Sequence, residues 1–327
     1  MVWFVAALAL VAGAARAGTT LLNVSYDVTR EFYKEYNPLF IRHWQDSTGE
    51  VLAINQSHGG SSKQARAVAD GLEADVVTFN QATDIDFLAD TAGLIAKDWA
   101  KKLPNDAAPL TSPIVFVVKK GNPKQIHDWS DLIKPGVSVI IPNPKTSGNG
   151  RYSYLAAWGY ALRAPGGSEA GAKDFVAKLF KNVPVLDTGG RGATTTFAQR
   201  GIGDVLLTFE NEAFLTQQEF GAAHLEIILP SISVLAEAPV AVVDKVIDRR
   251  GTRKQAEAYL SYLYSPEAQE LAAKHAFRPR SAEVLARHAD QFKPIQTLTI
   301  AEIAGSWAEA QKVHFADGGV FDQIYTH

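Results

Sequence analysis

Three features of this 327-residue chain predict an α/β fold with mostly parallel sheets flanked by helices. Short apolar runs alternate with amphipathic stretches of helical period along most of the length, the pattern of strands joined by crossover helices. Four strand-to-helix junctions are built from glycine and hydroxyl residues. No repeat, low-complexity tract or disordered linker breaks the alternation, so a two-lobe arrangement would have to cross between lobes on extended strands.

The elements follow in order. Residues 20–25 read as a strand, and 29–47 as a helix with Phe32, Tyr36, Leu39 and Phe40 on one apolar face. A strand at 51–56 leads to a helix at 63–70, ended by Gly71. Strands follow at 75–78 and at 114–118, the latter bounded by Pro113 and Gly121-Asn122-Pro123. Further strands fall at 137–141, 183–186, 205–208, 227–229 and 240–243. Helices fall at 152–162, 168–181, 194–200, 211–219, 252–264, 266–275 and 300–315. The best crossings between lobes are the 114–118 run outward and the 238–243 run back.

Charge is nearly balanced, with 32 Lys and Arg against 35 Asp and Glu, which argues against nucleic acid or a polybasic membrane arm as partner. The apolar stretch 2–14 is too short to span a bilayer, and Ala15-Arg16-Ala17 has the form of an export cleavage site, so residues 1–17 are expected to be a signal peptide. There is no cysteine, and the one methionine is Met1. The exported chain would hold no sulfur, no disulfide and no thiolate metal site. This composition raises the hypothesis of a protein made when sulfur is scarce.

The four junctions carry the chemistry. They are 25–30, with Asp27 expected as an N-cap; 56–63, with His58, Gly59, Gly60 and Ser61; 143–151, with Ser147, Gly148, Asn149 and Arg151; and 188–192, with Gly190 and Arg191. A helix start leaves backbone N–H groups unpaired, and the helix dipole favours an anion there. Singly, each junction is only a cap or a turn. Together they sit where α/β sheets hold ligands, at the carboxyl ends of strands, two before and two after the first crossing. The 56–63 junction lacks the spacing of a phosphate loop. Gly190-Arg191-Gly192 lacks the third glycine of a dinucleotide fingerprint. Neither nucleotide nor nicotinamide is indicated.

At these turns the chain resembles the bacterial periplasmic sulfate-binding proteins, the solute receptors of sulfate/thiosulfate ABC importers. The resemblance runs from about residue 21 to 323. Its most specific pieces are Asn23-Val24-Ser25-Tyr26-Asp27, Gln56-Ser57-His58-Gly59-Gly60-Ser61, Gly121-Asn122-Pro123-Lys124-Gln125-Ile126-His127-Asp128-Trp129, Asn143 to Gly148, and Leu263-Tyr264-Ser265-Pro266. It implies a two-lobe, type II periplasmic binding protein fold with the ligand cleft between lobes. The implied lobes are 18–112, 113–239, and 240–327 returning to the first with the C-terminal helices. By resemblance, Asp27, Ser61, Gly148, Asn149 and Gly190 offer amides and Ser147 its hydroxyl, while His58, Arg151 and Arg191 polarise those peptides from behind. Sulfate-selective members carry a tryptophan where this chain has Phe209, usually a second glycine at Asn149, and alanine at Gly190. The segments around 146–149 and 187–197, with Phe209, look more like the thiosulfate-binding branch. Phe209 fills space and donates nothing, so binding of both anions is expected. The implied partners are sulfate or thiosulfate and a membrane permease, with a monomeric receptor and no cofactor.

Three rival classes compete with this reading, and the first, a structural or adhesion role, leaves the four junctions and the resemblance unexplained. An enzyme has little support: there is no His-Glu-x-x-His, no Gly-x-Ser-x-Gly, no cysteine nucleophile and no calcium loop around Asp84 and Asp86. A phosphate or molybdate receptor is nearer. Phosphate keeps a proton at neutral pH and wants an acceptor, for which Asp27 and Glu210 are the candidates. Asp27 is expected instead to turn its carboxylate into a cap and leave only its amide to the ligand.

Overall fold

The structure is a computed structural model that describes residues 18–325. The export-signal reading of residues 1–17 lies outside the described residues. The strands are β1 (Thr19–Tyr26), β2 (Leu52–Gly59), β3 (Val76–Thr78), β4 (Leu110–Lys119), β5 (Val139–Pro142), β6 (Leu186–Asp187), β7 (Val205–Phe209), β8 (Leu225–Ile228), β9 (Ile232–Ala238), β10 (Val240–Val242), β11 (Arg278–Pro279) and β12 (Gln296–Leu298). They form two sheets with helices packed on them, and each sheet underlies one lobe.

The first sheet has the order β10-β3-β1-β2. β1 runs parallel to β2 and β3, and β10 closes the edge antiparallel to β3. The register pairs Tyr26 with Gly59 and Ser25 with Thr78, so β1, β2 and β3 end almost level. The segments that follow them, beginning at Asp27, Gly60 and Phe79, therefore emerge side by side. One face of this sheet packs on aromatic residues of the Arg30–Thr48 helix, including Phe32, Tyr36 and Phe40, and on Tyr259. The other packs on Ala65, Val68, Phe79, Ile85 and Leu88.

The second sheet runs β12-β9-β4-β7-β5-β6, with β8 and β11 also paired to β4. β5 is parallel to β6 and β7, and β4 is antiparallel to β7, β8 and β9. Its core holds Ile114, Phe116, Trp129, Tyr152, Leu155 and Trp158, buried under the Gly148–Arg163 and Glu169–Lys181 helices.

Between the lobes the chain is extended. β4 pairs through Leu110 to Pro113 with Ala238 to Leu235 of β9, then continues into the second sheet. β9 passes through Pro239 into β10, where Val240 pairs with Thr78 and Phe79 N donates to Pro239 O at 3.0 Å. The run expected at 114–118 is the part of β4 inside the second sheet, just past the crossing at Leu110 to Pro113, and the 238–243 run spans the end of β9 and all of β10.

Three expectations need correction. The 238–243 run is two strands: Ile232–Ala238 belongs to the second sheet and Val240–Val242 to the first. The 300–315 stretch is not one helix. Gly305, at φ +74, ends Ile300–Ala304, and Ser306 caps the Trp307–Ala310 turn anew. The tail also does not return to the first lobe. β12 pairs with β9, and Leu298, Ile300, Ile303, Ala310, Phe315 and Phe321 are buried in the second core. Gly159 makes room for this, since a Cβ there would lie 2.9 Å from Leu298 Cδ1 and 3.1 Å from Ile303 Cδ1.

Candidate functional site

The first-lobe side is set by the level ends of β1, β2 and β3. Asp27 opens a 3-10 turn, Asp27–Thr29, that leads into the Arg30–Thr48 helix. Thr29 Oγ1 bonds to Tyr26 O at 2.8 Å and to Ser25 Oγ at 2.6 Å. Asp27 is not the expected N-cap. Tyr26 and Thr29 occupy the cap positions, and neither makes a side-chain cap bond. The physical reason is the 3-10 turn, which places Asp27 inside the helical run. Its carboxyl is turned towards the backbone of its own turn. His58 Nδ1 lies 3.3 Å from Tyr26 O, one peptide back from Asp27. Ser61 starts the Ser61–Ala69 helix, with Gly60 at the cap position and no side-chain cap. A helix start without a side-chain cap keeps its first amides available.

The second-lobe side begins at β5. Ser147 caps the Gly148–Arg163 helix by accepting from Gly150 N at 3.5 Å, which leaves its hydroxyl hydrogen free to donate. Gly150 is squeezed against the preceding strand: a Cβ there would run into Pro142 O and lie 2.8 Å from Asn143 C. Asn149 Nδ2 donates to Thr208 Oγ1 at 3.1 Å, and Asn149 Oδ1 accepts from Ser153 Oγ at 3.2 Å. The Asn149 side chain is thus tied into the lobe, and its amide remains at the helix start. Gly190 starts the Gly190–Thr194 turn of helix, capped by Gly189 without a side-chain bond. Phe209 ends β7 just before the Glu210–Phe220 helix; it is buried, with its ring centroid 5.7 Å from that of Tyr152.

The structure brings these junctions together. Asn80, just past β3, links the two sides: its N donates to Ser61 Oγ at 3.3 Å, while its carboxamide lies on Gly148. A Cβ on Gly190 would lie 3.3 Å from Asn149 Nδ2. Tyr26, Asn80 and Phe209 line one narrow gap between the lobes. Ser61, Ser147, Asn149 and Phe209 are all buried. Roomier hollows, of about 360 and 440 Å³, lie around Trp99 and Arg253 and around Phe32 and Phe214. The first touches none of the four helix starts, and the second reaches only the outer side of the first junction, at Val28.

Three basic residues of the second-lobe junctions, Lys145, Arg151 and Arg191, are engaged elsewhere. Arg151 Nε donates to Pro144 O at 3.0 Å, and its guanidinium sits 5.7 Å from the Phe315 ring centroid. Lys145 Nζ bonds Asp322 Oδ2 at 2.8 Å and two tail carbonyls. Arg191 spans the lobes, 3.3 Å from Glu31 Oε2 on the first and 3.5 Å from Glu212 Oε2 on the second. Burial pushes the Asp27 carboxyl up, opposed by backbone amides and Arg191. Burial pushes the Glu212 carboxyl up to about 7, with Arg191 opposing. Burial also lowers His58, so its imidazole is neutral at neutral pH.

Sequence reasoning missed Asn80, Asp84 and Glu212. Asp84 is buried; it accepts from Ser62 Oγ at 2.8 Å and Gln81 Nε2 at 3.1 Å, and it is also bonded by the Ser61 side chain. The end of β3 is a further strand-to-helix junction, but it has no glycine to mark it. Glu210, a candidate acceptor from sequence, is closed off by a bidentate pair with Arg278 at 2.6 and 2.8 Å. Among the described residues no cluster of three or more metal-ligating side chains occurs, and no helix is long and apolar enough to cross a membrane.

Comparison with known proteins gives a consistent result. Residues 21–278 match the family described as bacterial extracellular solute-binding protein. The chain is 62% identical over 314 residues to a thiosulfate-binding protein of Pseudomonas aeruginosa, covering 96% of this chain and 94% of that protein. It is 59% identical over 304 residues to a sulfate-binding protein of Salmonella typhimurium, covering 93% and 92%. The sulfate-binding protein SubI of Mycobacterium tuberculosis superposes with a TM-score of 0.79 at 34% identity, covering 90% of this chain and 98% of that one. With its fold, its junctions and these likenesses in agreement, the chain belongs to the bacterial extracellular solute-binding protein family, in the group whose members are named for sulfate and thiosulfate.

Proposed function

We propose that this protein is an exported, periplasmic receptor that captures sulfate and thiosulfate between its two lobes and delivers the anion to the membrane permease of an ABC importer. The observation that carries the reading is the convergence of helix starts at Asp27, Ser61, Gly148 and Gly190, with Arg151 and Arg191 bonded elsewhere. The amides of Asp27, Ser61, Gly148, Asn149 and Gly190 and the Ser147 hydroxyl serve as donors. Phe209 shapes one wall, and His58, Arg151 and Arg191 act on the donor peptides without touching the anion. Each hydrogen bond to a charged partner contributes about 1.5–3 kcal/mol net. Five to seven would give roughly 10–20 kcal/mol before ordering and desolvation costs, whereas micromolar affinity needs about 8 kcal/mol.

The donor set supports a proton-free dianion over hydrogen phosphate. Hydrogen phosphate needs an acceptor, yet the Glu210 carboxylate is held by Arg278, and that of Asp27 is turned towards the backbone of its own turn. The names of the relatives support both sulfate and thiosulfate as ligands. A receptor role, rather than catalysis, agrees with relatives that are binding proteins. Titration calorimetry of the mature protein with sodium sulfate and sodium thiosulfate tests the reading. Binding of one or both at micromolar affinity or tighter is expected, and absence of heat with either overturns it.

A further inference from the structure

We infer that Asn80 is a positioning residue for anion capture: its carboxamide seats on the bare Cα of Gly148 and so brings the second lobe's helix start up to Ser61. The inference rests on the anion-binding reading above. Four observations carry it. Asn80 follows β3 in the first lobe, whereas Gly148 follows β5 in the second, so the contact crosses the cleft. Asn80 N donates to Ser61 Oγ at 3.3 Å, which ties the same residue to a donor junction of its own lobe. A Cβ on Gly148 would come within 2.6 Å of Asn80 Nδ2 and closer still to Oδ1, nearer than real Cβ atoms approach. Asn80 Oδ1 is buried with no hydrogen-bond partner among the described residues, so packing rather than a bond holds that end of the amide.

This gives glycine at 148 a second reason besides close approach to an anion. Any side chain there would meet Asn80 and hold the lobes apart. The two explanations separate in a double substitution. If glycine serves only the ligand, removing Asn80 does nothing for a methyl at 148. If it serves Asn80, trimming Asn80 makes room for that methyl.

The test measures sulfate affinity by calorimetry for the wild type, Asn80→Ala, Gly148→Ala and the Asn80→Ala/Gly148→Ala double variant, with anion-free melting curves to follow folding. Gly148→Ala is expected to weaken binding about a hundredfold and Asn80→Ala about threefold, with the double variant recovering about tenfold over Gly148→Ala. Small-angle scattering should show sulfate compacting the wild type and the double variant but not Gly148→Ala. Asn80→Gln, which adds one methylene between the lobes, should weaken sulfate about tenfold with an unchanged anion-free melting temperature. A double variant as weak as Gly148→Ala, or Asn80→Gln binding like the wild type, overturns the role of Asn80 alone. A wild type that binds neither anion overturns it together with the reading on which it rests.

Discussion

The two sides of the cleft present helix starts by different means. On the first side, side-chain hydrogen bonds hold the junctions: Thr29 with Ser25 and Tyr26, and Asp84 with Ser61, Ser62 and Gln81. On the second side, steric fit holds them. The Gly148–Arg163 helix is buried along most of its length, and Gly150 sits against the Pro142 carbonyl. A polar scaffold can lose one bond and keep its shape at a cost of about 1–3 kcal/mol. A packed backbone contact has no such partial state. The first side should therefore yield to substitution gradually, and the second abruptly.

Gly150→Ala should show the largest effect. The new methyl meets backbone, not a movable side chain, so the helix start must shift. A loss of about 3 kcal/mol or more in stability is expected, with anion binding abolished, by denaturant melts and calorimetry. A variant that folds and binds normally would erase the distinction between the sides.

Asp84→Ala probes the polar side. It removes a buried carboxylate that Ser62 and Gln81 bond. Stability should fall by about 1–3 kcal/mol, while sulfate still binds, about tenfold weaker. Complete loss of binding would show that the first side is as brittle as the second.

Glu212 gives a pH signature. Its carboxyl is buried and pushed up from its ordinary 4.5 to about 7. Between those values the folded protein holds a proton that the unfolded chain has released. The folded state is therefore favoured at the acid end of the window and loses that advantage as pH rises from about 4.5 to about 7. Glu212→Gln should flatten this slope and raise stability at pH 8 by about 2 kcal/mol relative to wild type, read from denaturant melts across pH. A wild-type slope of the opposite sign would contradict the assignment.

Phe209→Trp should have the smallest effect. The added indole N–H supplies a donor at the wall, so sulfate should gain on thiosulfate by about tenfold in the ratio of affinities, roughly 1.4 kcal/mol. An unchanged ratio would remove position 209 as the discriminator.

Much of this was legible in the sequence because it is local. The run from Asn23 to Asp27 and the glycine- and serine-bearing turns at 59–61 and 147–150 mark strand ends and helix starts within a few residues. What escaped depends on distance. β12 meets β9 across more than sixty residues, with Leu298 opposite Val234, and nothing near 298 announces its partner. Asn80 carries no glycine signal, and its place at the site follows from the register that levels β3 with β1. Asp27 was misplaced by one element because a 3-10 turn precedes its helix, and such turns leave no composition mark.

The central claim is that neutral donors at helix starts hold an oxyanion that carries no proton. Competition calorimetry at neutral pH tests it most directly, with sulfate titrated into the protein alone and into protein preincubated with a large excess of sodium phosphate. The account predicts nearly the same sulfate affinity in both. A sulfate affinity that falls in proportion to the phosphate present would contradict it.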